Sequence, residues 1–216
     1  MMQAPADVIE AAERRCRAVR DDELLPYGPL IRAGAHELVS MMFPRFVARR
    51  GHDALVRDID TFFREFGAGR AEYIQLGTEF VRFMLPRLPG GTERVLLEYE
   101  WMLFDVEIDE AVVPEVRDDR LPASCRINPT VRWLAASFDL LSDAEPDDAL
   151  PPGHSRYAYA IYRSADDRVS THPLGARDIA ELARFEAGTH HASPTDDTSW
   201  LVDALQRGLI VDSTAT

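Results

Sequence analysis

Arg156-Tyr-Ala-Tyr-Ala-Ile-Tyr-Arg163, Ser164-Ala-Asp-Asp167 and Arg168-Val-Ser-Thr-His172 decide the fold of the second half of this chain. The first run is rich in aromatic and β-branched residues at alternating positions. Its period of two puts Tyr157, Tyr159 and Ile161 on one face of a half-buried strand. Ser164 to Asp167 is a polar turn, and Arg168 to His172 completes a hairpin that Pro173 ends, because proline cannot donate to a ladder. Beyond it, Ile179, Leu182, Ala183 and Glu186 fall at helical spacing between Ala176 and Ala187, and Gly188 supplies the stop. After His190-His-Ala-Ser-Pro194, Thr195 or Asp196 caps a helix that presents Leu201, Val202 and Leu205 and ends at Gly208. Leu209-Ile-Val211 closes the unit as a short strand. With Val131 to Leu141 as an earlier strand, the order is that of a winged-helix-like fold.

The first half reads as helical. Val8, Ala12, Cys16 and Val19 form a weak amphipathic stripe. A longer one runs through Ile31, Gly34, Leu38, Met41, Met42 and Phe46, interrupted by Pro44, which should kink or restart it. Leu55, Ile59, Phe62, Phe63 and Phe66 mark a third helix, ended by Gly67 and Gly69. Tyr73, Leu76, Phe80, Phe83 and Met84 mark a fourth that stops near Pro86. Thr92 caps a fifth containing Leu97, Trp101, Phe104 and Ile108. The expected architecture is α+β: an N-terminal helical bundle over residues 1–122, then a small winged-helix-like domain over 123–216, with a polar connector between Pro114 and Pro122 and a loop from Ala144 to Gly153.

Composition narrows the chemistry. The chain has 216 residues and a formal net charge of −13, enough length for one large or two small domains. No stretch is long and apolar enough to span a membrane, the N-terminus lacks a signal peptide's apolar run, and Cys16 and Cys125 suggest neither a metal spacing nor a disulfide framework, so a cytoplasmic location is expected. All 24 basic residues are arginine, a mark of a GC-rich genome that excludes Schiff-base lysine chemistry and a P-loop lysine. The negative charge opposes phosphate binding, and Arg45, Arg49 and Arg50, the only compact basic group, read as a solvated helix end.

Catalytic constellations are hard to assemble. The fifth helix carries Glu93, Glu98, Glu100, Asp105, Glu107, Asp109 and Glu110, but no Glu-x-x-His pair of the di-iron kind accompanies them. They read as a solvated face, with Glu100 partly buried and paired to an arginine. His190-His191 lacks further ligands, and no Gly-x-Ser-x-Gly is present. No catalytic, metal or cofactor site is expected in this chain.

Phe43-Pro44, Gly51, Leu55, Ile59 and Phe62, followed by Gly77-Thr-Glu-Phe80-Val-Arg-Phe83-Met84 and Leu97-Glu-Tyr-Glu100-Trp101, resemble the helical half of bacterial proteins long labelled as carrying a DNA-binding domain. Asn128-Pro129-Thr-Val131-Arg132-Trp-Leu134, Ile161-Tyr162-Arg163 and Leu205-Gln-Arg-Gly208-Leu-Ile look like that family's second half. The similarity runs from about Tyr27 onward, and the usual opening helix is not recognisable before it. Such proteins, of the HvfC, MbnC and TglI kinds, are partners of multinuclear non-haem iron oxidases. Those enzymes are TIM barrels that modify cysteine or other residues in a ribosomally made precursor peptide. The resemblance implies a non-catalytic subunit that binds the oxidase and the precursor's leader, with iron held by the partner enzyme.

An exposed sheet edge suits that role, because an extended peptide can add to it as a further strand. The expected edge is Arg168, Val169, Ser170, Thr171 and His172, with the main chain of Val169 and Thr171 pairing with the peptide and Trp200, Leu201 and Leu205 offering an apolar wall. The oxidase contact is expected on the helical half around Met42, Arg45, Phe46 and Arg49, beside Met41 and Phe43, since methionine-rich patches adapt to partners. Two other classes compete: a DNA-binding regulator of winged-helix type, and a free-standing enzyme using the fifth helix's carboxylates.

Overall fold

A computed structural model describes residues 27–65, 73–115, 122–142, 155–185, 190–191 and 198–214. The chain divides between Trp101 and Met102 into two compact units. The expected helix through Val8 and Val19, the caps at Thr195 and Asp196, the stops at Gly67, Gly69 and Gly188, and the loop from Ala144 to Gly153 lie outside the described residues.

The first unit is helical: α1 (Tyr27–Met42), α2 (Pro44–Arg50), α3 (His52–Glu65), α4 (Tyr73–Met84) and the start of α5 (Thr92–Glu107). Pro44 restarts the chain as expected. It is the first residue of α2, where its missing N–H costs nothing. Leu55, Ile59, Phe62 and Phe63 bury one stripe of α3, and Phe62 lies edge-on to Phe63, Phe80 and Phe83 with centroids 5.4, 5.7 and 5.4 Å away. Such aromatic pairs add stabilisation beyond the area they bury. Two expectations fail here. Met41 is 70% exposed rather than part of the stripe. The first hydrogen bond of α5 runs from Val95 N–H to the Gly91 carbonyl, so Thr92 is the first helical residue and not its cap.

Glu100 is 5% exposed and pairs with backbone rather than primarily with an arginine side chain. Its Oε1 accepts the N–H of Arg45 at 2.8 Å and its Oε2 that of Phe46 at 2.9 Å. Phe43 precedes α2 without a side-chain cap, so a carboxylate 55 residues away in sequence satisfies the donors a cap would take. Burial pushes the Glu100 carboxyl up, and the Phe46 and Arg45 N–H groups pull against it. Arg50 is no solvated end: it is paired to Asp58 at 2.8 Å and Glu93 at 2.9 Å.

The second unit is mixed helix and antiparallel sheet, so the chain as a whole is α+β. One sheet has the order β2 (Arg132–Ala136), β3 (Tyr157–Arg163), β4 (Val169–Pro173). The other has the order β5 (His190–His191), β1 (Ser124–Ile127), β6 (Ile210–Asp212). Helices α6 (Ala176–Leu182) and α7 (Thr198–Arg207) come from the chain after β4. The hairpin forms where the sequence puts it, in the register Ala160 to His172 and Tyr162 to Ser170, with Asp167 at φ 60 in the turn.

The second sheet was not expected. Ser-Cys-Arg-Ile is too short to show alternation, and β6 pairs with it rather than with the hairpin. His190 and His191 are strand, not loop, opposite Cys125 and Ser124. β3 is also not half-buried: Tyr159, Ala160, Ile161 and Tyr162 are all buried, while Tyr157 is 40% exposed. Ala160 and Tyr162 pack with Leu182, Phe185, Trp200, Leu201, Ala204, Leu205, Leu209 and Ile210. On the opposite face, the Tyr159 hydroxyl donates to Asp139 at 2.8 Å and accepts from the Leu140 N–H. Ile179, expected on the buried stripe of α6, is 51% exposed, because that short helix gives way after Leu182 to a 3-10 turn that buries Phe185 instead.

Candidate functional site

Two hydrogen bonds fix which groups of β4 face outward. Leu174 N–H donates to Ala158 O at 2.7 Å and Ser164 N–H to Arg168 O at 2.9 Å. Bonded pairs alternate along an antiparallel ladder. His172 and Ser170 therefore direct their main chain at β3, while Val169 and Thr171 direct theirs away from it. Pro173 sits in that outward series too, where its missing N–H removes no ladder bond. Among the described residues β4 is the terminal strand of its sheet.

Side-chain alternation places His172 and Ser170 on the face of Ala160 and Tyr162, the face that carries α6 and α7. From the last turn of α7, Arg207 reaches His172, its Nη1 lying against the ring Nε2 and 3.4 Å from Nδ1. The same guanidinium binds Asp203 and lies 3.6 Å from Asp178. Asp178 also accepts the Trp200 indole N–H and the Gly175 N–H, both at 2.9 Å. Burial works against the Asp178 charge, but these donors and Arg207 hold its carboxyl below the usual range. Burial and the neighbouring Arg207 depress His172, against the pull of Asp178 and Asp203. Arg207 further lines an open cavity of about 340 Å³ between the β3–β4 turn and the end of α7, with Val113, Ser164, Asp166 and Leu205.

A polar knot holds the end of β3 against the end of α7. Asn128 and Thr130 are 2% and 0% exposed. The Asn128 amide donates to Arg163 O and Gly208 O, each at 2.8 Å, and its oxygen accepts the Thr130 N–H and hydroxyl at 2.9 and 2.8 Å. All four hydrogen-bonding positions of the amide are used, joining the end of β3 to the end of α7. Gly208, at φ 79, provides the left-handed residue that stops α7.

The sequence-predicted residues are distributed unevenly. Val169, Ser170 and Thr171 lie on β4, and the Arg168 side chain stands out at the turn, paired with Asp166. Trp200, Leu201 and Leu205 are 2%, 3% and 6% exposed and belong to the core. They position α7 and do not wall an open pocket. In the first unit, Phe46 is fully buried, Met42 is half-buried with its thioether against Gly77, Arg45 lies 5.8 Å from the Tyr99 ring centroid, and Arg49 is exposed. They do not form one exposed patch.

The sequence placed His172 on the expected edge and Asn128 and Arg207 within motifs, but assigned none of them a contact, and Asp178 was not singled out. Asn-Pro-Thr between two strands was the available signal for the knot; nothing local pairs His172 with Arg207.

Neither protein-family models nor curated proteins match this chain. Among the described residues no group of three or more His, Cys, Asp or Glu could hold a metal ion, and no helix is long and apolar enough to cross a membrane. Burial, then the Asp212 charge, pushes the Cys125 thiol up to about 11, which leaves it protonated and unreactive at neutral pH.

Proposed function

We propose that the second unit is a winged-helix-like peptide-recognition module whose β4 edge receives an extended segment as an added strand. The outward main chain of Val169 on a terminal strand, beside a helix anchored on the same sheet, carries this reading. Main-chain bonds would supply affinity, and side chains of the peptide that project toward α7 would be read by Ser170, His172 and Arg207. The order of strands, hairpin and helices supports the likeness to the leader-binding elements of ribosomal-peptide pathways. The whole chain is then the partner subunit of a multinuclear iron oxidase, the first unit being its helical bundle and the iron belonging to the enzyme. Met41 and Arg49 are the exposed members of the expected oxidase contact. A DNA-binding role gains nothing from Arg50, whose charge is committed to Asp58 and Glu93.

The test is affinity capture of the tagged full chain from its native host, with mass spectrometry of proteins and short peptides and iron analysis of the eluate. An iron-loaded barrel enzyme with a precursor peptide is expected. Val169→Pro, which removes an outward N–H and no bond to β3, should lose the peptide while keeping the fold. Retention of the peptide by that variant would refute the β4 assignment.

A further inference from the structure

The cavity of about 340 Å³ beside the β3–β4 turn is walled by pieces of chain that hydrogen bonds fasten to one another. Arg163, the last residue of β3, gives its Nη2 to the carbonyls of Asp109 and Ala111 at 2.6 and 2.8 Å. Asp109 takes the Ala111 N–H at 2.8 Å, which ties down the segment leading to Val113, Pro114 and Glu115. Ser164 closes the turn through the main chain of Asp167 and Arg168. Asn128 joins the Arg163 carbonyl to that of Gly208 at the end of α7. Walls fixed in this way need not be ordered by a ligand, and a preformed site spares the cost that such ordering takes from binding. The volume falls at the lower end of the roughly 300–1,000 Å³ of small-ligand sites.

The lining decides the kind of ligand. Val113, Pro114, Leu205 and Val211 give it an apolar side, and Leu205 and Val211 are only 6% and 2% exposed. Arg207, also in the lining, has little to offer an anion. Asp203, Asp178 and His172 already surround its guanidinium, and its Nε donates to the Asp203 carbonyl at 3.3 Å. Glu115 is exposed and has no hydrogen bond or ion pair among the described residues. Asp166 is paired only with the highly exposed Arg168 and the Ser164 hydroxyl, and an exposed ion pair holds its carboxylate weakly. The charge left over in the lining is therefore negative, in keeping with the −13 of the chain. We propose that this cavity binds an organic cation with an apolar body, its amine or guanidinium drawn to Glu115 and Asp166 and its body laid on Val113, Leu205 and Val211. A free amine and a basic side chain beside an aromatic one both meet this description. The site is independent of the peptide reading above, since no residue of β4 lines it.

Three indoles that share a body and differ in charge test it: tryptamine, N-acetyltryptamine and indole-3-acetate. Each is titrated into the full chain while NMR follows the valine and leucine methyl groups. Tryptamine should shift the methyls of Val113, Leu205 and Val211 and bind tightest, and indole-3-acetate weakest. Glu115→Gln should weaken tryptamine about threefold and N-acetyltryptamine hardly at all, and added salt should do the same. Ala165→Trp, at an exposed position of the turn that lines the cavity, should narrow it and weaken all three without changing the urea midpoint. An acetylated and amidated tryptophanyl-arginine represents the second source. Tighter binding than tryptamine assigns the site to a basic segment of another protein, and weaker binding to a free amine. Methyls that neither the indoles nor the dipeptide shifts at millimolar concentration overturn the site. So do equal affinities for the three indoles, or a preference for tryptamine that survives Glu115→Gln combined with Asp166→Asn.

Discussion

Replacing Asn128 with alanine should be among the most damaging single changes in the second unit. The side chain makes four hydrogen bonds from a site 2% exposed, and its removal strands the carbonyls of Arg163 and Gly208 and the N–H of Thr130. A buried polar group left without a partner costs about 1–3 kcal/mol. Carbonyls fall at the lower end, and Thr130 Oγ1, which also accepts the Arg163 N–H at 2.9 Å, offers partial relief, so a loss of about 3–4 kcal/mol is expected. Urea denaturation of the full chain, followed by tryptophan fluorescence and far-UV circular dichroism, measures it. Asn128→Asp makes the test sharper: it preserves shape but turns two donors into an acceptor facing two carbonyls, and should destabilise at least as much as alanine. If both variants lose less than about 1 kcal/mol, the knot is not holding β3 to α7. If alanine is costly and aspartate neutral, packing rather than hydrogen bonding is responsible.

Glu100→Gln should destabilise the first unit by about 1–2 kcal/mol, since one amide hydrogen must face a backbone donor at the start of α2. Because burial raises the Glu100 carboxyl in the fold, the folded chain binds that proton more tightly than the unfolded one. Its contribution to stability therefore declines as pH rises above 4.5 through the raised value, and denaturation midpoints of the Gln variant should lack that component. In a Cys16→Ser background, Cys125 should react with a thiol reagent at neutral pH only as fast as the protein opens, and a rapid phase in native buffer would contradict its burial. Trp200→Phe keeps an aromatic ring against Phe185, whose centroid is 6.2 Å away, but removes the N–H given to Asp178. The expected cost is about 1–2 kcal/mol, read by chemical denaturation.

Much of this structure was written locally. Alternation in Tyr157 to Tyr162, the Ser164 to Asp167 turn and proline after His172 specify the hairpin. The helical stripe from Leu55 to Phe63 and the stop at Gly208 specify α3 and the end of α7 in the same way. These signals need only the few residues that one strand or one turn of helix spans. What they could not convey is depth. The same apolar spacing that marks Leu201 and Leu205 as helical serves a groove wall and a core equally, and only the packing of α7 onto Ala160 and Tyr162 makes them core.

The relations that matter to the candidate site are longer still. Strand β1 has four residues and becomes a strand because β6 and β5 pair with it. Glu100 read as the partly buried acid of its helix, paired to an arginine, until α2 brought two uncapped N–H groups to it. His172 and Arg207 stand 35 residues apart, and neither carries a mark that names the other. The sequence by itself determined the hairpin and most of the helices, which depend on neighbours along the chain, and the sign of the charge and the lack of lysine chemistry, which depend on composition alone. Tertiary structure alone decided which polar groups are buried and which side chains distant in sequence meet, because each depends on atoms brought together only by folding.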